Sequence, residues 1–472
     1  MIKFGTDGWR AVIADEFTYQ NVRYCAQGLA EYLLSTGTAS RGMVIGYDTR
    51  FASERFAAAA SEVIAANGIK VRLCKTATPT QVISFGVLHH KAAGAIIITA
   101  SHNPPEWNGF KIKTANGASA PPAVEAQIEK HLTGIIDKDQ INRISIKDGV
   151  EKGIIEYVDL YTAYAQQVCK IVDLEEVRQA GFRVAADSMF GAGSGYFERM
   201  LGSGNTKLLE INGERNPCFP GIKQPEPIAS NLSKLCDFVR EHNMDVGLAT
   251  DGDADRIGIV DEKGQPLTSL QVFALLAFYL LDIRGQRGAI VKTVTTTDMI
   301  NRLGELYNIL IFETKVGFKH VAPIMVSEDA LMGGEESGGF GYRGHIPERD
   351  GLLSGLLFLD LMAKTGKSPS ELIKHLYSIV GPHYYYREDV ELLSGASEVV
   401  TKQLKNNMPT RIADKTIIEA STIDGYHFRF KDGSWLLIRF SGTEPLLRIY
   451  SESSSLSKAQ ALVAAGRNLL KV

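Results

Sequence analysis

The chain has 472 residues, 44% of them hydrophobic, which at roughly 100–200 residues per domain is enough for three or four domains with their own cores. Its 51 basic residues against 54 acidic ones leave a formal net charge of −3, which excludes the strongly basic footprint of a nucleic-acid binder. The cysteines, Cys25, Cys74, Cys169, Cys218 and Cys236, are scattered without Cys-x-x-Cys spacing, which argues against a disulfide framework or zinc site and for a reduced, cytoplasmic setting.

No charged-then-apolar leader opens the chain, and the longest apolar stretch, Val272 to Leu281, is too short to cross a bilayer, so a soluble protein without a membrane partner is expected. The N-terminal Phe4-Gly5-Thr6-Asp7-Gly8-Trp9-Arg10 is a weaker signal alone, although its Arg10 could reach the cleft that the later motifs define. Met43 to Tyr47 reads as a strand ending in Asp48-Thr49-Arg50, and the alanine-rich Ser53 to Ala66 as a helix. Phe182 to Ser188 followed by the Gly191-Ala192-Gly193 turn, and Ala289 to Val294 followed by a helix over Met299 to Leu306, repeat the strand-turn-helix opening. Three such openings predict three similar α/β domains, over residues 1–148, 149–264 and 265–380. From Gly381 the texture changes to alternating strands with a helix beginning near Ser457, which predicts an α+β domain over residues 381–472.

Four stretches carry chemistry. After the apolar run Gly94 to Ile98 comes Thr99-Ala100-Ser101-His102-Asn103-Pro104, with Asn108-Gly109-Phe110-Lys111 close behind. Ser, Asn and Pro alone make turns, but a hydroxyl nucleophile with histidine and lysine beside it has the parts for covalent catalysis, Lys111 neutralising charge on a phosphoryl group and His102 moving a proton. Asp251-Gly252-Asp253-Ala254-Asp255-Arg256 sets three acids at alternate positions, which in an extended loop turn three carboxylates to one side. Glu262 completes an EF-hand spacing, but Arg256 stands where that loop needs glycine and the flanks Val246 to Thr250 and Ile257 to Val260 read as strands. The triad therefore suits Mg²⁺ with a phosphate oxygen as a further ligand.

In Gly333-Gly334-Glu335-Glu336-Ser337-Gly338-Gly339, Glu335 and Ser337 can bind hydroxyl groups while glycines admit a ligand close to the backbone. Near the C-terminus, Arg439-Phe440-Ser441-Gly442-Thr443-Glu444-Pro445 with Arg448 joins hydroxyls, backbone N–H donors and two arginines in a phosphate clamp.

With these four stretches in this order along essentially its whole length, the chain resembles the α-D-phosphohexomutase family, closest to phosphoglucomutases and phosphomannomutases. The resemblance implies three α/β domains and a TATA-binding-protein-like fourth around a central cleft. It implies that Ser101 is the phosphorylated serine and ligates Mg²⁺ with Asp251, Asp253 and Asp255. By the same carry-over, Arg10, His102, Lys111 and Arg256 support phosphoryl transfer, and Glu335 and Ser337 grip sugar hydroxyls. Arg439, Ser441, Gly442, Thr443 and Arg448 would then hold the non-reacting phosphate. The expected reaction interconverts glucose 1-phosphate and glucose 6-phosphate through phosphoserine and glucose 1,6-bisphosphate, a trace of which primes the resting enzyme. Gly334 to Gly338 is similar to the loop of glucose-selective members, whereas dual-specificity members usually carry Met at the position of Glu336. Phe318 stands where those members often have histidine, leaving Lys319 or His320 to contact phosphate or sugar. Mannose or glucosamine phosphates are the alternative substrates. A metal-dependent phosphatase or phosphotransferase and a non-catalytic sugar-phosphate sensor are the other readings, and either a monomer or a homodimer fits.

Overall fold

The computed structural model describes residues 2–5, 7–391, 404–405, 408–440 and 446–470. The first sheet contains β1 (Trp9–Val12), β2 (Met43–Tyr47), β3 (Val71–Cys74), β4 (Gly94–Ile98), β5 (Trp107–Lys113) and β6 (Ile155–Val158), in the order β1-β5-β4-β2-β3-β6. β2, β3, β4 and β6 run parallel, and β5 is antiparallel to both β4 and β1. Alternation along β2 and β4 decides the layers: Ile45, Ile96 and Ile98 pack under the helices Tyr19–Ser35, Ser53–Ala66 and Pro122–Lys138. Val44, Ala95 and Ile97 face the other way, into a core continuous with the next two units.

The second sheet, β7 (Arg183–Asp187), β8 (Lys207–Ile211), β9 (Val246–Thr250) and β10 (Ile257–Val260), has the order β10-β9-β7-β8. The third, β11 (Ile290–Thr293), β12 (Ile311–Thr314), β13 (Met332–Gly334) and β14 (Phe340–Tyr342), has the order β12-β11-β13-β14. In each of the three sheets a parallel strand turns into an antiparallel neighbour, β4 into β5, β9 into β10 and β13 into β14. The three turns are the serine loop, the acid loop and the Glu335 loop, at the carboxyl ends of parallel strands, where α/β sheets leave room for ligands.

The fourth sheet is antiparallel throughout: β15 (Tyr384–Glu391), β16 (Arg411–Ile412), β17 (Lys415–Ser421), β18 (Tyr426–Phe430), β19 (Trp435–Phe440) and β20 (Leu446–Ser453), in the order β15-β20-β19-β18-β17-β16. Leu436, Ile438, Leu447 and Ile449 pack under the helix Leu456–Leu470, while Trp435, Leu437 and Tyr450 pack on Val294 of the third unit. Three α/β layers with a C-terminal α+β layer are therefore the architecture.

The first sheet takes in β6, because the helix Ile146–Glu151 returns the chain to the free edge of β3, where Ile155 is buried in the first core. One expectation changes. The acid loop is a tight turn, not extended: Ala254 has φ +62° and its N–H donates to the Asp251 carbonyl at 3.0 Å.

Candidate active site

Ser101 follows β4 with φ +52°, a left-handed conformation uncommon for a residue with a side chain and costly unless its surroundings impose it. Its N–H donates to Thr99 Oγ1 at 2.8 Å. The loop is held by Arg50, whose fully buried guanidinium reaches four carbonyls. Nη2 donates to Ser101 and Asn103 at 2.6 and 2.5 Å, Nη1 to Pro104 and Trp107 at 2.8 and 3.1 Å. Arg50 Nε faces Asp48 at 3.3 Å, and the guanidinium lies over the Phe219 ring. Arg10, on β1, adds bonds to the Ala100 carbonyl and the Asn103 side chain at 3.1 and 2.7 Å.

The Ser101 hydroxyl donates to Asp251 Oδ2 at 2.8 Å and lies 3.3 Å from His102 Nδ1. Desolvation, with Arg256 and Arg10 nearby, holds the His102 imidazole well below its usual pKa. Asp251, Asp253 and Asp255 are all buried and each offers an oxygen within 4.8 Å of the others. Burial followed by repulsion from Asp255 and Asp253 pushes the Asp251 carboxyl well up. Burial would raise Asp253 too, but Lys111 at 2.9 Å holds it below the usual carboxylate range. Lys111 stands on β5, is buried, and also meets Asp7 at 2.8 Å. The helix Thr80–His89 of the first unit supports the acid loop, with Thr80 Oγ1 donating to Asp253 Oδ2 at 2.7 Å. Arg256 turns its N–H to Asp251 Oδ1 at 3.1 Å and pairs with Glu226.

From the third unit, Glu335 Oε1 accepts the Gly317 N–H at 3.1 Å, and Oε2 lies 3.3 Å from Arg349. Arg349 also meets Asp255 at 2.7 Å and Asp7 at 3.2 Å, so one guanidinium joins the Glu335 loop, the acid loop and the segment that leads into β1. Ser337 is half-buried in the same loop. Lys319 and His320 open the helix Phe318–Ser327. Lys319 Nζ reaches across to the Gly5 carbonyl at 3.3 Å, and the His320 N–H turns back to the Gly317 carbonyl.

Arg439 and Arg448 stand directly opposite each other on β19 and β20. Like charges so opposed repel, and each takes a carboxylate: Arg439 Nε donates to Asp424 at 2.8 Å, while Arg448 Nε lies 3.7 Å from Asp389. Ser441, Gly442 and Thr443 lie outside the described residues. Glu262 is turned away from the acid loop, accepting the Ser370 N–H and hydroxyl, which removes the EF-hand alternative.

Sequence reasoning singled out neither Arg50 and Arg349 nor Asp7 of the N-terminal segment. The available signals were the charged ends of two apolar runs, Asp48-Thr49-Arg50 and Glu348-Arg349-Asp350. The acid triad fits a divalent cation on its own chemistry: Asp253 Oδ1 and Asp255 Oδ1 are buried and accept no hydrogen bond, a state that a hard cation relieves.

Three layers thus each hand one loop to a shared centre, with an arginine-bearing fourth sheet alongside. Sequence profiles of the phosphoglucomutase/phosphomannomutase family match the chain in four domains. These are alpha/beta/alpha domain I over residues 1–138, domain II over 161–264, domain III over 268–380 and the C-terminal domain over 398–469. The chain belongs to this family and is an intramolecular phosphotransferase that interconverts sugar phosphates.

A phosphoglucomutase/phosphomannomutase of Thermococcus kodakarensis is 30% identical over 99% of this chain and 98% of its own. A phosphoglucosamine/phosphogalactosamine mutase of Sulfurisphaera tokodaii is 28% identical over 98% and 97%. A crystal structure from Thermus thermophilus, provisionally named a phosphomannomutase, is 35% identical with a TM-score of 0.86 over 100% of this chain and 99% of that one. Among the described residues no helix is long and apolar enough to cross a membrane.

Proposed function

We propose that the chain interconverts glucose 1-phosphate and glucose 6-phosphate, with Ser101 carrying the phosphoryl group and glucose 1,6-bisphosphate as intermediate and activator. The observation that carries this reading is the buried Ser101 hydroxyl bonded to Asp251 at 2.8 Å, at the junction of the serine and acid loops. Asp251, Asp253 and Asp255 would hold Mg²⁺ together with phosphoserine, and the ion would neutralise charge on the phosphoryl group.

In the forward half-reaction a sugar hydroxyl oxygen forms a bond to phosphorus as the Ser101 Oγ–P bond breaks. The hydroxyl proton is lost, Ser101 Oγ gains one, and the proton count is unchanged. His102, beside Oγ, is placed to carry that proton. Lys111, Arg10 and Arg256 position the loops and offset phosphoryl charge, the main demand of in-line displacement. Glu335 and Ser337 take sugar hydroxyls, and Lys319 and His320 contact phosphate or sugar. Arg439 and Arg448, with Ser441, Gly442 and Thr443, hold the phosphate that is not transferred. One reactive position and one separate clamp serve both orientations once the bisphosphate turns over.

Glucose as substrate rests on the Gly334 to Gly338 loop. Glucosamine phosphate is the second reading, favoured by the name of the Sulfurisphaera relative. A reducing, cytoplasmic setting accords with the cysteines, all of which are free. The test is conversion of glucose, mannose and glucosamine 1-phosphates with Mg²⁺ and catalytic bisphosphate, beside Ser101→Ala. Rapid conversion of the glucose ester, abolished in the variant, is expected. Preference for another ester would overturn the glucose assignment, and full activity of Ser101→Ala would overturn the phosphoserine mechanism.

A further inference from the structure

Position 336 is where sequence resemblance places the choice of sugar, yet the Glu336 side chain is committed elsewhere. The carboxylate Oε1 accepts from Arg387 Nη1, on β15 of the fourth sheet, at 3.3 Å, while the Glu336 backbone carbonyl accepts the Ser269 hydroxyl. Arg387 forks onto Asp389, with Nε–Oδ1 and Nη2–Oδ2 both 2.7 Å, and its guanidinium lies 5.4 Å from the Tyr450 ring centroid. Asp389 is paired in register with Arg448, which is 3.7 Å away, and Arg448 in turn is paired in register with Arg439. Arg439 donates to Asp424, whose Oδ2 also accepts the Val316 N–H at 3.0 Å, just before the helix Phe318–Ser327.

These groups form one row across the sheet face that docks on the third unit. The row begins at the sugar loop, passes through both arginines of the proposed clamp, and returns to the third unit at Val316. The bidentate Arg387–Asp389 fork fixes both groups in direction as well as charge, so a shift at either end is transmitted along the row. A side chain of Met length at position 336 would leave Arg387 without its anchor in the third unit.

We propose that Glu336 and Arg387 are positioning residues that couple the sugar loop to the phosphate-holding arginines, so that residue 336 governs substrate choice and bisphosphate retention through the seat of the fourth domain. The proposal rests on the phosphohexomutase reading for its kinetic consequences, while the coupling itself is a property of the fold. Neither residue need touch the reacting atoms. Glu336 sets where Arg387 stands, Arg387 sets Asp389, and Asp389 sets Arg448.

The test compares Glu336→Gln, Arg387→Gln, the double variant and Arg387→Lys with the wild type. Each Gln variant should raise KM for glucose 1-phosphate about 5–10-fold, the low end for coupling between two sites, with kcat far less affected. Each should also raise the glucose 1,6-bisphosphate needed for half-maximal rate, because the intermediate escapes more often before it turns. The double variant should be no worse than either single one, and Arg387→Lys should recover part of the loss. Additive losses, or an unchanged KM, would overturn the proposal.

Amide hydrogen exchange decides the coupling without turnover. In Arg387→Gln both the 335–339 loop and β20 should exchange faster while β2 and β4 keep wild-type protection. Faster exchange confined to β15 would overturn the coupling even in a fully active enzyme. An inactive wild type showing the paired change would instead count against the mutase reading alone.

Discussion

Arg50 is the most exacting point at which to perturb the serine loop. Its guanidinium is the shared donor for the carbonyls of Ser101, Asn103, Pro104 and Trp107, at 2.5 to 3.1 Å, and it is the counter-charge of buried Asp48. In Arg50→Ala each abandoned buried acceptor costs about 1–3 kcal/mol, and loss of the partner charge about 3–5 kcal/mol. One local collapse relieves several of these at once, so the expected loss is about 5 kcal/mol rather than their sum.

Arg50→Lys is the sharper variant, because it keeps the charge but cannot reproduce a planar fork serving four acceptors. Without that fork nothing equivalent imposes φ +52° on Ser101, and a misplacement near 1 Å costs about 100-fold in kcat with KM little changed. The assay is steady-state conversion of glucose 1-phosphate by protein shown by intact mass to carry phosphoserine at the wild-type level. Urea unfolding is followed alongside by the fluorescence of Trp9 and Trp107, which lie on β1 and β5 of this domain. A lysine variant with wild-type kcat would refute the argument that the guanidinium fork holds the nucleophile.

Three further outcomes are expected. Asp253→Asn removes one triad charge and the 2.9 Å partner of Lys111, so the Mg²⁺ concentration for half-maximal rate should rise roughly 10–100-fold, as read by metal titration of activity and by calorimetry. Gly109→Ala would set a Cβ 2.4 Å from the Thr99 carbonyl and 3.1 Å from Arg10 Cγ; β5 has to move, and a denaturation midpoint shift worth about 1–3 kcal/mol should accompany lost activity. Burial disfavours the His383 imidazolium, but Glu452 at 2.7 Å raises its pKa above the usual value. That pairing stabilises fully below the unfolded pKa of about 6.5 and fades as pH climbs through the higher folded value. His383→Gln should therefore melt below wild type at about pH 6, with the gap narrowing toward about pH 9, and a constant gap would contradict the assignment.

The elements most legible in the sequence were those set by local pattern. Ser53 to Ala66 is a helix with the expected ends, and Val246 to Thr250 and Ile257 to Val260 are the strands that flank the acid loop. The serine and the three aspartates stood out because few loops concentrate such groups. What stayed hidden was set by distant partners. Arg349 meets Asp7 from 342 positions away, and Arg50 serves a loop on another strand; the charges beside them in sequence mark the ends of apolar runs but do not name these partners. The left-handed turn at Ala254 was hidden for another reason: alanine gives no sign of the φ +62° that the packed loop imposes on it. β6 escaped because its place beside β3 depends on the short helix before it, not on its own residues.

The charge network of the first sheet bears on how the chain is made. Of the carboxylates that neutralise Lys111 and Lys113, only Asp7 is translated before them; Asp253 follows Lys111 by 142 residues and Glu348 follows Lys113 by 235. A ribosome-bound chain thus holds a finished first domain with two ammonium groups facing a single acid. Docking of the later domains is then guided by charge as well as by apolar area, because each brings a carboxylate to an ammonium group already in place.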